Sequence, residues 1–233
     1  MNESRAGGRG GRSSGVAGEV WLREPRAYRA APPLTRDRIV AEAVALLDEE
    51  GPARLTMRHL AERLGVGSTT LYWHVRTKDD VLDLALDAIF GDVPLPASPG
   101  GWADDVRGLI TGWYAVMLRH PWAPGLLGRP MLGPNVLART EFLQAALARG
   151  GFTGVDLAAG THGLANYVIG SALTRTAGGP EDAINSAADQ HVRAHAEEYP
   201  TLASTGHLGE QDWDDLFRRG LDALLAGLSG SRG

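Results

Sequence analysis

Apolar side chains recur every three or four positions along most of the chain, and the points where that rhythm stops predict its helices. Thr35 is placed to cap a first helix whose stripe is Ile39, Val40, Ala43, Val44, Leu46 and Leu47, and Gly51-Pro52 ends it. A second begins at Thr56, with Met57, Leu60, Ala61 and Leu64 on one side and Arg58, Glu62 and Arg63 off it; Gly65-Val66-Gly67 breaks it. Ser68 suits the N-cap of a short third helix reaching about Val75, and a fourth runs from Asp79 to Phe90. Two short helices joined by a Gly-containing turn and backed by a third helix describe a helix-turn-helix. After the linker PLPASPGG at 94–101 only helical patterns follow: 102–119, a short one after His-Pro-Trp, 135–148, 155–176, 181–199 and 211–228. No segment alternates like a strand. The expected fold is all-α, with an Arg-rich arm (1–33), a three-helix DNA-binding domain (34–80) and a larger helical domain (81–233) for ligand binding and dimerisation.

The third helix carries the chemistry. At about 100° per residue, Leu71 and Val75 share one face, and Thr69, Thr70, Tyr72 and Trp73 lie opposite. The core positions of the first three helices are filled without those aromatics, so the polar and aromatic face turns outward. Hydroxyls suit phosphates, and Tyr and Trp suit base edges, thymine methyls or the sugar-phosphate backbone. Arg58 is placed to enter the same groove, and His74 and Lys78 suit phosphate contacts.

The last helix has apolar residues at 213, 216, 217, 221, 224, 225 and 228, with Gly220 on the same stripe, and 155–176 is rich in Ala and Gly. Small residues permit close helix approach, so the two segments suggest a four-helix interface between two copies; an intramolecular bundle is the alternative.

Charge sharpens this picture. The net charge is -5, yet residues 1–38 hold eight Arg against four acidic residues, while the rest holds fifteen basic and twenty-four acidic residues. A basic arm on an acidic body fits a chain that meets a polyanion at one end. The arm is expected to be disordered in isolation. Its Arg5, Arg9, Arg12 and, nearest the folded part, Arg23, Arg26 and Arg29 are candidates for the minor groove beside the helix-occupied major groove. The absence of Cys excludes disulfides, thiolate zinc sites and Cys nucleophiles. With no long apolar run and no signal-peptide pattern near the first residue, a cytoplasmic protein without membrane contact is expected.

At residues 55–81, LTMRHLAERLGVGSTTLYWHVRTKDDV, the chain resembles the DNA-binding domain of the TetR (tetracycline-repressor) family, and the match extends to the Lys after LYWHV. Residues 119–122 (RHPW), 128–130 (GRP) and 217–228 (FRRGLDALLAGL) are similar to that family's regulatory domain. The resemblance implies a homodimeric repressor on a palindromic double-stranded operator, released by a small-molecule effector. Its DNA contacts carry over to Met57, Arg58, Ser68, Thr69, Thr70, Tyr72, Trp73, His74 and Lys78. The tetracycline repressor has Thr where this chain has Met57 and Gln-Pro where it has Ser68-Thr69, so its operator is not expected to transfer. That repressor's drug-binding and magnesium-binding His fall at about Pro94 and Leu127, so tetracycline is not expected to be the effector.

For the effector, aromatic and isolated polar residues on the later helices are the candidates: Trp113, Tyr114, Met117, His120, Trp122, Gln144, His162, Asn166, Tyr167 and Thr174. His191 and His195 stand at i and i+4, but among acidic neighbours they read as a solvated face, and no metal or other cofactor is expected. Neither a zincin motif nor a P-loop nor a Gly-Xaa-Ser-Xaa-Gly elbow occurs, so no catalysis is expected. An activator of the same fold, or a helical carrier or enzyme with an N-terminal docking module, are the alternatives.

Overall fold

The computed structural model describes residues 33–176, 181–206, 208–209 and 211–230, and every regular element within them is helical. In order these are α1 (Arg36–Glu50), α2 (Met57–Leu64), α3 (Ser68–Tyr72), α4 (Lys78–Gly91), α5 (Trp102–Arg119), α6 (Pro134–Arg149), α7 (Gly154–Thr176), α8 (Glu181–Ala194), α9 (Pro200–Thr205) and α10 (Trp213–Gly230). A single 3-10 turn, Pro124–Leu126, lies between α5 and α6.

The first two caps are those expected: Thr35 accepts from the Arg38 amide at 3.2 Å, and Thr56 from the His59 amide at 3.1 Å. The α1 stripe buries Ile39, Ala43, Leu46 and Leu47 in a core shared with Leu60, Ala61 and Leu64 of α2. Gly65 ends α2 at φ 68°, a left-handed conformation that penalises any residue with a Cβ. Helix α3 departs from expectation in two ways. Gly67 holds the N-cap position and no side chain caps it, so Ser68 is the first helical residue. The regular helix also stops at Tyr72, although the Val75 amide still bonds Leu71 O at 3.1 Å and winds the chain on. Helix α4 opens on a capping box, with Thr77 accepting from the Asp80 amide and Asp80 from the Thr77 amide.

Helix α4 runs through residues 80 and 81, so one helix serves both the helix-turn-helix and the helical body. Its far half is locked to α6. The buried Asp87 carboxylate accepts from the Val136 amide and from Asn135, each at 3.0 Å, and so caps α6, whose own N-cap, Gly133, has no side chain. A Cβ at Gly133 would lie 2.1 Å from Asp87 Oδ1, which is why this position is glycine. In return the buried Arg139 of α6 donates to Val93 O at 2.9 Å and Gly91 O at 2.6 Å, closing the end of α4. Burial holds the Arg139 pKa below its ordinary value.

Helix α5 is central, burying Val106, Leu109, Ile110, Trp113 and Met117 against α6 and α7. The helix expected over 181–199 ends early, at Ala194, and a further short helix, α9, follows beyond that span. Its winding closes at His195, whose amide bonds both His191 O and Val192 O, and Pro200, lacking an N–H, starts α9 afresh. Helix α10 splits its apolar stripe: Phe217, Leu221 and Leu225 are buried, while Trp213, Leu216 and Leu224 stay exposed. On α7 the exposed residues Ala159, Gly163, Asn166, Gly170 and Leu173 recur at helical spacing beside it. No described helix is long and apolar enough to cross a membrane.

Candidate nucleic-acid interface and ligand cavity

Helix α3 is anchored from beneath. Leu71 and Val75 are sealed in the core, and α2, which precedes them, is fastened to α1 through Arg63. Its guanidinium bonds Glu42 at 2.6 Å and pairs with Glu49, and both hydrogen bonds raise the Arg63 pKa above its ordinary value. Arg38 adds a 3.0 Å bond to Leu64 O at the end of α2.

Above this frame Ser68, Thr69, Thr70, Tyr72, Trp73 and His74 are all exposed. Tyr72 retains 50% and Trp73 84% of their surface, so neither is core. Arg58 stands on the solvent side of α2, paired with Glu62 at 2.8 Å, which raises its pKa. Solvent screens an exposed pair of this kind, so Glu62 is readily exchanged for a nucleic-acid acceptor. Two candidates sit differently. Met57 is half-buried against the core and is the least available of the set. Lys78 is half-buried too, its ammonium donating to Pro52 O at 2.7 Å, which braces the start of α4 against the turn between α1 and α2. Two further N–H groups remain on that ammonium. Arg23, Arg26 and Arg29, with Arg5, Arg9 and Arg12, lie outside the described residues.

Two cavities of the helical body bear on the effector candidates. One, of about 330 Å³, is enclosed by Phe90 of α4, Trp113 and Met117 of α5, residues 127–131, and faces of α6 and α7. Its polar groups are Arg129, Thr140, Thr161, His162 and Asn166, with the Trp113 indole in the wall. The other, of about 390 Å³, lies between α7 and α10 and is lined by Tyr114, Asn166, Tyr167, Thr174, Trp213 and Phe217, among others. There Tyr114 stacks on Phe217 at 3.8 Å, and Tyr167 donates to Phe217 O at 2.8 Å. Burial pushes both phenol pKa values up, so both remain neutral donors at pH 7.

The ten effector candidates therefore divide. Trp113, Met117 and His162 line the first cavity, Tyr114, Tyr167 and Thr174 the second, and Asn166 borders both. Three fall outside these two cavities, His120 bordering a separate one between α1 and α4. His120 and Trp122 turn toward α1, where Asp48 Oδ1 lies 2.8 Å from His120 Nδ1 and accepts from Trp122 Nε1 at 2.6 Å. Gln144 is half-buried on α6 but lines neither cavity. Missed by pattern alone were Arg129, Thr140 and Thr161; the Arg129 signal was present in the GRP stretch, which reads as a loop until its position over the cavity is seen. The rings of His191 and His195 lie 4.2 Å apart, tilted by 39°, with His195 Nδ1 2.8 Å from His191 O. Among the described residues no group of three or more His, Cys, Asp or Glu is placed to hold a metal ion.

An outward polar and aromatic helix on a helix-turn-helix, joined by one continuous helix to a body with a drug-sized cavity, defines a DNA-binding regulator that senses a small molecule. Comparison with known proteins places the chain more narrowly. Residues 39–85 match the family model of bacterial regulatory proteins of the tetR family, and 95–231 that of the tetracyclin repressor-like C-terminal domain. An HTH-type transcriptional regulator of Saccharopolyspora erythraea is 46% identical over 225 residues, 95% of each chain. The HTH-type transcriptional repressor DrrR1 of Streptomyces coeruleorubidus is 34% identical over 147 residues, 62% of this chain and 54% of that one. The crystal structure of the Streptomyces coelicolor TetR family protein ActR in complex with actinorhodin superposes with a TM-score of 0.76 at 31% identity, covering 87% of this chain and 100% of that one. The chain belongs to the TetR family of helix-turn-helix transcriptional regulators.

Proposed function

We propose that this protein is a homodimeric repressor that holds a palindromic operator through residues 34–80 and is released when a small organic molecule enters its helical body, residues 81–233. The observation that carries the reading is α3: Tyr72 and Trp73 stay exposed over the sealed Leu71 and Val75, an arrangement that solvation explains poorly and a DNA groove explains well. Thr69, Thr70, Tyr72, Trp73 and Arg58 meet the major groove, Ser68, His74 and Lys78 the phosphates, and Met57 contributes an apolar edge. Arg23, Arg26 and Arg29 enter the adjoining minor groove.

Dimerisation is supported by the exposed Trp213, Leu216 and Leu224 of α10 beside the exposed small residues of α7. A paired copy covers both stripes and sets two α3 helices in successive major grooves, about 34 to 36 Å apart. The protein then acts in the cytoplasm by binding alone. An effector works by preferring a conformation in which that spacing is lost, with a coupling of about 1 to 3 kcal/mol. ActR with actinorhodin bound is the precedent for an organic occupant, and the tetracycline repressor's drug- and magnesium-binding His fall at about Pro94 and Leu127 here.

The test is selection of bound sites from a random DNA pool by the purified full chain at a stated salt concentration. Recovery of a palindrome with half-sites about 10 base pairs apart is expected. Sequence-independent, salt-sensitive binding alone would remove α3 from the interface and leave the arm as the DNA contact.

A further inference from the structure

The wall of the cavity between α5, α6 and α7 is one-sided in its chemistry. Arg129 brings a positive charge, and no carboxylate lines the space. Two of its polar groups, Arg129 and Trp113, are donors only. Arg129 gives one N–H to Asp83 at 2.9 Å and one to Asp79 at 2.6 Å, leaving three of its five N–H groups for another acceptor. Trp113 is 7% exposed, and its indole N–H is the buried side-chain polar atom that finds no acceptor among the described residues. A buried donor without a partner costs stability, and an occupant bearing an acceptor removes that cost.

We infer that this cavity takes a drug-sized, largely apolar organic acid. Its carboxylate, phenolate or sulfonate oxygen bonds Arg129, its body lies along Met117, Leu143 and Val168, and a second acceptor meets Trp113. The inference rests on the reading of this cavity as the effector site and specifies the effector's chemistry. A cationic occupant would find no carboxylate in this wall to pair with, since Asp79 and Asp83, which hold Arg129, are not among its lining residues.

The same guanidinium is also the tie to the DNA-binding end. Asp79 and Asp83 sit on the first turns of α4, immediately after Lys78, so an acid that engages Arg129 competes with the carboxylates that anchor α4. Arg129 is thus a positioning residue for α4 as well as a contact for the occupant.

The experiment uses two fluorescent probes with one aromatic skeleton: anilinonaphthalene sulfonate, and phenylnaphthylamine, which lacks the sulfonate. Each is titrated into the full-length protein and its Arg129→Gln, Arg129→Lys, Asp83→Asn and Ala165→Trp variants, with melting temperatures recorded. Arg129→Gln should weaken the sulfonate probe about tenfold or more and change the neutral probe by less than about twofold, with Arg129→Lys restoring part of the loss. Asp83→Asn, which frees the guanidinium from one partner, should tighten the sulfonate probe; general destabilisation predicts the opposite, so this variant decides the matter if Arg129→Gln folds poorly. Ala165→Trp fills the cavity and should abolish both probes. If both probes vanish in Ala165→Trp while the sulfonate probe ignores Arg129→Gln and Asp83→Asn, the organic-acid inference is overturned and the cavity as effector site survives. If Ala165→Trp leaves both probes bound, both readings fall.

Discussion

Trp73→Ala separates the DNA-binding reading of α3 from a packing role. Trp73 is 84% exposed, so of the about 250 Å² of surface a Trp can bury, it hides roughly 40 Å², worth about 1 kcal/mol at 25 cal/mol per Å². For a chain of this length that bound lowers the melting temperature by only about 2 to 4 °C. A groove contact by the same ring is worth about 1 to 3 kcal/mol, so affinity for the selected operator should fall roughly five- to 150-fold. Affinity for random duplex, set by phosphate contacts, should hardly move. The assay is fluorescence anisotropy with operator and scrambled duplexes at one salt concentration, beside calorimetric melting. Leu71→Ala is the contrast, because Leu71 is fully buried and its truncation should cost about 2 to 5 kcal/mol. Unchanged operator affinity in Trp73→Ala, or a melting loss as deep as that of Leu71→Ala, would refute the reasoning.

Lys78→Ala should weaken operator and random DNA alike and lower the salt slope by about one, while also destabilising the domain because the bond to Pro52 O is lost. A loss confined to the operator in gel shifts over a salt series would contradict the phosphate assignment. Asp80→Asn should cost about 1 kcal/mol by denaturant unfolding at pH 7, since the carboxylate completes the cap of α4. Backbone N–H groups of Arg76 and Thr77, with the Thr77 hydroxyl, hold the Asp80 pKa below its ordinary 3.8. Its contribution is therefore complete above that pH and lost below it, so the gap from the unsubstituted protein should close as pH falls under about 3.8. Asp48→Ala leaves Trp122 Nε1, and His120 with it, without their acceptor and should destabilise by about 1 to 3 kcal/mol. Hydrogen exchange should then rise in α1 and around residues 120–123 together; a rise in α1 alone would mean that Asp48 does not join the two.

The helices were legible because each announces itself locally: Thr35 and Thr56 are caps by residue type, and the α1 stripe needs no partner to be seen. The outward face of α3 was equally legible, since Leu71 and Val75 fix which way Tyr72 and Trp73 turn. What periodicity could not show was the exchange of polar groups between distant segments. Asp87 looks like a surface acid on its own helix, yet it caps α6, and Arg139 looks like a surface base, yet it closes α4. His120 and Trp122 have the composition of ligand contacts, but Asp48, more than seventy residues earlier in the chain, claims both. Nothing within a helical window carries that information.

These long-range polar ties also give the proposed release by a ligand a physical route. The segment 120–133 between α5 and α6 grips α1 through His120 and Trp122 on Asp48, and α4 through Arg129 on Asp79 and Asp83, while Leu127, Arg129 and Met131 line the cavity. The far half of α4 is clamped by Asp87 and Arg139, so any displacement of this segment must appear at the near half, where Lys78 and the capping box hold the helix-turn-helix. A packed interior transmits such a shift rather than absorbing it, because its side chains have few voids to move into. A ligand therefore needs no contact with α3 to move it; it has only to bind more tightly when residues 127–131 leave their present positions.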